Sequence, residues 1–206
     1  MNKRILKSSA RGLGRLRFTL VFLGVMLVAN VLAGTVFGPL TPELLSAWGI
    51  GVDPVRDGQI ARFVTAIFLS HGPSMLIRQF IFAATVIGTV EWLWGSWRAM
   101  ALFFGIDISA TTILLSCIAL VPQLAGSEHI NDVGMSMGGF GLIGVLLATS
   151  RVRWIGLAVV SLGVGVKYAL VPEPLADGGH IIALWVGACV GQVWSRRAAL
   201  AVGLRP

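Results

Sequence analysis

The sequence predicts an all-α membrane protein, a bundle of six transmembrane helices, and three observations predict it. Hydrophobic residues make up 56% of the 206-residue chain and charged residues only 12%, where a soluble domain carries about 25% charged residues. Mean hydropathy is +0.85, and the apolar residues fall in long stretches separated by short charged clusters, which is the membrane pattern. The charge clusters themselves alternate in sign along the chain. One domain of this length fits.

In chain order, a basic tail over residues 1–16 precedes a membrane domain over 17–195, and a short basic tail follows over 196–206. The expected spans are 17–38, 74–94, 98–121, 136–150, 154–171 and 179–194. The first apolar run, from Phe18 to Phe37, is longer than a signal-peptide core and predicts a retained helix. A long loop over 39–73 joins the first two spans; it holds amphipathic pieces of its own and is too large for a turn. With six crossings, Lys3, Arg4, Lys7, Arg11, Arg15, Arg17, Arg98, Arg151, Arg153, Arg196, Arg197 and Arg205 all lie on one side. That bias predicts cytoplasmic termini. The acids Glu43, Asp53, Asp57, Glu128, Asp132, Glu173 and Asp177 fall in the alternate loops. The net charge of +7 thus reads as contact with anionic lipid and not with nucleic acid. Cys117 and Cys189 sit inside apolar spans and are expected to be buried free thiols.

Two spans are too short. Ser136 lies 15 residues before Arg151, and His180 lies 16 residues before Arg196. At 1.5 Å per residue, helices starting there rise ~22–24 Å, against a hydrocarbon core ~30 Å thick. The segment before Ser136, residues 126–135, is polar and irregular. Such backbone at membrane depth is tolerated only against protein or water. The spacing therefore predicts a wet indentation, open to the outside, with a serine and a histidine at matching depth. Such a pair can serve as nucleophile and general base. Ser136 would stand at a helix N-terminus, where free N–H groups favour an oxyanion. The same serine equally suits a small-residue helix interface formed by Gly134, Gly138, Gly141 and Gly144.

Several segments carry a resemblance. Gly134-Met-Ser136-Met-Gly138-Gly-Phe140-Gly-Leu-Ile-Gly144 and Asp177-Gly-Gly-His180-Ile-Ile-Ala183, with Gly187, are similar to the fourth and sixth helices of rhomboid intramembrane proteases. That family has a Gly-x-Ser-Gly motif and an Ala-His-x-x-Gly motif and cleaves with a serine–histidine dyad. Arg62-Phe-Val-Thr65 resembles the Trp-Arg-x-x-Thr of its first loop, Phe68-Leu-Ser-His71 its Phe-Leu-His, and Glu91-Trp-Leu-Trp-Gly95 its Glu-x-x-x-Gly. The likeness spans Arg62 to Trp194 and implies a six-transmembrane-helix rhomboid-like bundle. It implies a catalytic role for Ser136 and His180, and an aromatic ring, Phe140, against the histidine. Gln79 stands where the family has an oxyanion-holding asparagine, and His71 is a further candidate donor. There are departures. Met137 replaces the glycine after the nucleophile, Met75 a histidine, and Ala61 the loop tryptophan. Losing one oxyanion donor costs ~2.7–4 kcal/mol of transition-state stabilisation, so the departures imply a slow enzyme or a rearranged hole.

The expected function is an intramembrane serine protease acting on transmembrane protein substrates, with no cofactor and no metal, in a bacterial cell membrane. A rhomboid-like protein that binds transmembrane segments without cutting them is the alternative, and a small transporter built on Asp107 and Lys167 the third reading. Asp107 falls near the bilayer middle, where an ionisable group is a functional candidate by default, with either protonation or Ser or Thr partners on another helix expected. Lys167 and Arg78 are expected to snorkel; a Ser136–Lys167 dyad is the sharper reading of the lysine. Asp177 is expected to be solvated at the lip or to orient His180. A metal site from His71, His129 and His180 finds no support in their spacing, and the G-x-G-x-x-G run over 139–144 lacks the strand a dinucleotide site needs. Oligomeric state and substrate identity leave no mark in the sequence.

Overall fold

The computed structural model describes residues 15–201. The tail residues Lys3, Arg4, Lys7, Arg11 and Arg205 lie outside them. The chain runs through helices α1 (Arg17–Leu32), α2 (Pro42–Trp48), α3 (Val52–Arg56), α4 (Arg62–Thr65), α5 (Pro73–Trp94), α6 (Ser96–Leu120), α7 (Ser136–Ala148), α8 (Arg153–Leu170) and α9 (Pro174–Ala201). Short 3-10 turns occupy Ala66–Phe68 and Pro122–Ser127. No strand forms among the described residues; Ile50 and Asp132 make a single isolated antiparallel bridge.

This is a membrane protein with an all-α fold. α5, α6, α8 and the Pro174–Ser195 stretch of α9 are each long and apolar enough to cross a bilayer, while α1 and α7 are shorter apolar helices. Their outward faces are greasy: Ile77 and Ile81 on α5 and Leu162 and Val166 on α8 are more than half exposed. Apolar surface on that scale is at odds with water and suited to lipid. Cys117 and Cys189 belong to this exterior. Both are exposed, which corrects the expectation of burial: an apolar span has a lipid face as well as a bundle face.

α1, the 3-10 turn at Ala66–Phe68 and α6 share an aromatic core. Phe22 packs on Phe68 and Phe103 with ring centroids 5.0 Å apart in each case, and Phe103 meets Phe104 edge-on at 5.3 Å. One end of this core is fixed by Glu91. Its carboxylate accepts hydrogen bonds from the Phe18 and Thr19 amides at 2.7 and 2.8 Å and from the Thr19 hydroxyl at 2.6 Å, and Ser96 donates to it as well. A carboxylate at the first turn of α1 meets that helix's unpaired N–H groups. The sequence expectation carried the first span to residue 38, but α1 ends at Leu32. Asn30 explains the stop: its amide donates to the carbonyls of Met26 and Phe68 and its Oδ1 accepts from Thr35, a buried polar knot that turns the chain.

α7 and α9 form the most extensive helix pair. A Cβ added at Gly187 would fall on the carbonyl oxygen of Gly141, one at Gly144 on that of Leu184, and one at Gly191 would lie 2.9 Å from that of Val145. Three glycines therefore let two backbones touch. Of the four glycines read as a small-residue interface, Gly141 and Gly144 meet α9, whereas Gly138 faces Phe103 of α6 and Gly134 faces Gln79 and Met75 of α5. The last helix departs from expectation. It begins at Pro174 and runs 28 residues, so His180 sits nearly two turns inside it instead of at its start, and the helix continues past the expected boundary at 195. Pro174 in the first turn needs no N–H donor and lets the helix start early.

The long loop carries α2, α3 and α4 and is tied down by Arg62. Its guanidinium donates to the carbonyls of Ser46 and Gly49 at 2.6 and 2.8 Å and to Gln59 Oε1. The first two are late carbonyls at the C-terminal end of α2, which such a side chain satisfies.

Candidate functional site

Ser136 opens α7 and His180 projects from α9, 44 residues later, with His180 Nε2 2.8 Å from Ser136 Oγ. Neither helix alone could place them; the glycine seam does. His180 is stacked on Phe140, one turn after Ser136, at a centroid distance of 4.3 Å and an interplanar angle of 16°. Phe140 is backed by Phe82 of α5 at 5.7 Å. A Cβ on Gly139 would collide with the Phe82 ring, so that glycine admits the row of three rings. The imidazole plane is thereby held by packing as well as by its hydrogen bond.

Around the serine the backbone is short of partners. The N-cap position, Met135, offers no side-chain cap, and the amides of Ser136 and Met137 donate to no protein group among the described residues. The third amide, Gly138 N–H, donates to Asp107 Oδ2 of α6 at 2.8 Å. Asp107 is 4% exposed. Its partner is thus a backbone amide, not the Ser or Thr expected from the sequence. Met137 turns away from the serine: its thioether accepts from Thr111 at 3.6 Å and lies against Gly179.

Gln79 of α5 is buried, with Oε1 accepting from Ser70 at 2.8 Å. Its Nε2 has no protein partner among the described residues, an unmet donor that costs free energy unless something polar arrives. Gly134 makes room for it. That residue has φ +132°, and a Cβ there would strike Gln79 Nε2 and lie 2.8 Å from Met75 Cε. Both the backbone angle and the crowding demand glycine. Its amide donates to Ala66 O at 2.9 Å, which ties the segment before Ser136 to the long loop.

Ser136, His180, Gln79 and Phe140 line a cleft of ≈ 750 Å³. Met75, Arg78 and Phe82 of α5 form one wall, and Lys167 of α8 with Leu175 and Ala176 of α9 the other. α5 packs on α1, α6 and α7, and α8 on α7 and α9, so the cleft separates α5 from α8. A second, smaller space of ≈ 50 Å³ is lined by Asp107, Thr111, Ser136, Met137 and His180 among others.

The remaining candidates find other partners. His71 Nε2 is 2.9 Å from Asp132 Oδ1; this hydrogen bond outweighs partial burial and raises the imidazole above its ordinary 6.5. His129 pairs with Asp53 and Arg56 with Glu128, so three ion pairs strap the segment before Ser136 to the long loop and its end. With the histidines so divided, no group of three His, Cys, Asp or Glu side chains suited to a metal exists among the described residues. Lys167 pairs with Glu173 and Asp177, not with Ser136, so the Ser–Lys dyad is corrected. Asp177 is 4% exposed, holds Lys167 and the Glu173 amide, and neither orients His180 nor is solvated at a lip. Asp107 and Lys167 line two neighbouring spaces that have Ser136 and His180 in common.

Sequence reasoning passed over Phe82 and the strap. Phe82 follows Gln79 by three residues on the same helix face, a spacing that could have found it. His71 and Asp132 are 61 residues apart, with no local pattern to join them. The group as it stands offers a hydroxyl nucleophile, an imidazole base in contact, two free backbone amides and one free side-chain amide around a cleft. No family model matches this chain, and no curated protein matches it.

Proposed function

We propose that the chain is a rhomboid-like intramembrane serine protease, six helices crossing the bilayer with both termini cytoplasmic, that cuts transmembrane protein segments. The observation that carries this reading is the 2.8 Å contact between His180 Nε2 and Ser136 Oγ at the head of an open cleft. A substrate segment enters between α5 and α8 and unwinds, because a helix keeps its own carbonyls bonded. Ser136 Oγ attacks the exposed peptide carbonyl as its proton passes to His180 Nε2. The resulting oxyanion is held by the Ser136 and Met137 amides, with Gln79 Nε2 in the place of the missing donors. The C–N bond then breaks and His180 delivers its proton to the leaving amine. Water, deprotonated by His180, attacks the ester; the acyl–oxygen bond breaks and Ser136 recovers its proton.

The test is cleavage of a transmembrane peptide by the purified protein. Ser136→Ala and His180→Ala are each expected to lower the rate by at least ~10³-fold; equal cleavage in all three proteins sinks the reading. A binder that does not cut is favoured by one observation, the thioether of Met75 on the cleft wall, which cannot donate to an oxyanion. Reaction with a serine-directed fluorophosphonate separates the two. Labelling that disappears in Ser136→Ala supports the protease, and no labelling of the native protein supports the binder.

A further inference from the structure

A carboxylate inside an apolar bundle needs a reason, because burying it without compensation is costly. Asp107 sits mid-way along α6, 4% exposed, and its only bonded partner among the described residues is the Gly138 amide at 2.8 Å. Gly138 is the third residue of α7. The first N–H groups of a helix lack internal acceptors and are normally met by the side chain at the N-cap. In α7 the N-cap is Met135, whose side chain has no oxygen to offer. A Cβ on Gly138 would lie 2.5 Å from the Phe103 ring of α6, so the glycine is also what lets α6 come close enough.

We propose that Asp107 is a positioning residue: a cap supplied from the neighbouring helix that fixes the rotation of the first turn of α7 and thereby holds Ser136 Oγ on His180. This rests on the protease reading for its catalytic consequence, though the cap itself does not. The cap also decides which amides face the cleft. By taking Gly138 N–H it leaves those of Ser136 and Met137 for the oxyanion. Rotation of α7 by a few tens of degrees would carry the hydroxyl out of hydrogen-bond reach, and productive geometry tolerates ~10–20°.

The experiment uses the full-length protein in detergent, as Asp107→Asn and Asp107→Leu beside the native chain. Asparagine keeps an acceptor oxygen in place; leucine keeps the bulk and loses it. Amide hydrogen exchange of the peptide covering the first turn of α7 is expected to speed up at least ~10-fold in Asp107→Leu and to stay near native in Asp107→Asn. Fluorophosphonate labelling of Ser136 is expected to follow the same order. Turnover of a transmembrane peptide should lose kcat in the leucine variant with KM little changed, since the cleft wall is untouched. Native-like exchange in Asp107→Leu overturns the proposal, and so does an Asp107→Asn protein as impaired as Asp107→Leu, since charge and not the acceptor would then be at work. Should the leucine variant fail to fold, Asp107→Ser, polar but one bond shorter, takes its place with the same expectations. A native protein that neither labels nor cuts defeats the protease reading alone, because the exchange measurement still reports the cap.

Discussion

The seam between α7 and α9 and the rim of the cleft are held by opposite means. At the seam, backbones meet across glycines: Cβ atoms at Gly144 and Gly187 would land on carbonyl oxygens of the opposite helix. At the rim, α8 and the outer segments are held by ion pairs, exposed except at Asp177: Lys167 to Glu173 and Asp177, His71 to Asp132, and His129 to Asp53. Burial follows the same division. Of the membrane-spanning stretch of α8, 11% is buried, against 39% for α9. Close packing has no tolerance for added atoms but is indifferent to salt; exposed ion pairs tolerate substitution and weaken with screening. Ser136 and His180 ride on the close-packed element and the cleft wall on the ion-paired one, an arrangement that suits the proposed protease, whose chemistry must stay aligned while its mouth admits a bulky segment.

The most direct way to break this contrast is to add atoms at the seam. Gly187→Val should destabilise the protein by about 3 kcal/mol or more, because the intruded group is backbone and cannot rotate aside. Thermal unfolding in detergent would show it, with labelling of Ser136 lost in step. The matching change on α8 is Gly163→Ala, where no atom lies within 4 Å of the added Cβ. Its effect should stay within about 1 kcal/mol, and gains in helix propensity make it neutral or favourable. Equal melting losses for the two variants would erase the distinction.

A smaller effect is expected from Lys167→Met. The methionine keeps most of the stem but leaves Asp177, 4% exposed, without its cation. A buried acceptor stripped of its partner costs about 2 kcal/mol, here spent on loosening α8 from the start of α9. The expected result is modest loss of melting temperature with a faster reaction of bulky probes at Ser136, because the cleft wall yields. A slower reaction would show that α8 shapes the cleft rather than gates it.

What the sequence revealed follows from the range of the forces involved. Apolar periodicity and charge placement are local, so α5, α6 and α8 lie within a few residues of their expected bounds. Ser136 was legible because a polar segment ends abruptly at an apolar one, and α7 does begin there. The start of α9 was not, because Pro174 and Asp177, which form its first turn, lie in a polar stretch that reads as part of the outer loop. The destinations of Asp107 and Asp177 were equally hidden. Asp107 was visible in an apolar span and Asp177 in a loop, but an acceptor's partner is set by helix rotation, which composition does not encode. Gln79 was placed through resemblance alone; its unmet Nε2 is a property of the packed molecule.

The smallest effect belongs to the rim's histidine and tests the contrast through pH. His71 is held above its ordinary 6.5, first by its hydrogen bond to Asp132 and then by the charges of Asp132 and Glu173, against the pull of burial. A histidine raised in the folded state contributes stability that is fully present below 6.5 and is lost as pH rises through the elevated folded value. The side chain is 45% exposed, so solvent screening keeps the contribution under about 1 kcal/mol. The melting difference between the native protein and His71→Ala should therefore be largest near pH ~5.5 and shrink by pH ~8.5. Protection from hydrogen exchange over residues 126–135, taken relative to the intrinsic rate at each pH, should fall over the same interval, since His71 anchors Asp132, whose backbone bridges Ile50. At the α7–α9 glycine contacts no titrating group is interposed between the backbones, and protection there should stay flat. A difference that grows with pH would mean that the neutral imidazole, not its cation, is what binds Asp132, and the rim would then be held by an uncharged hydrogen bond instead of an ion pair.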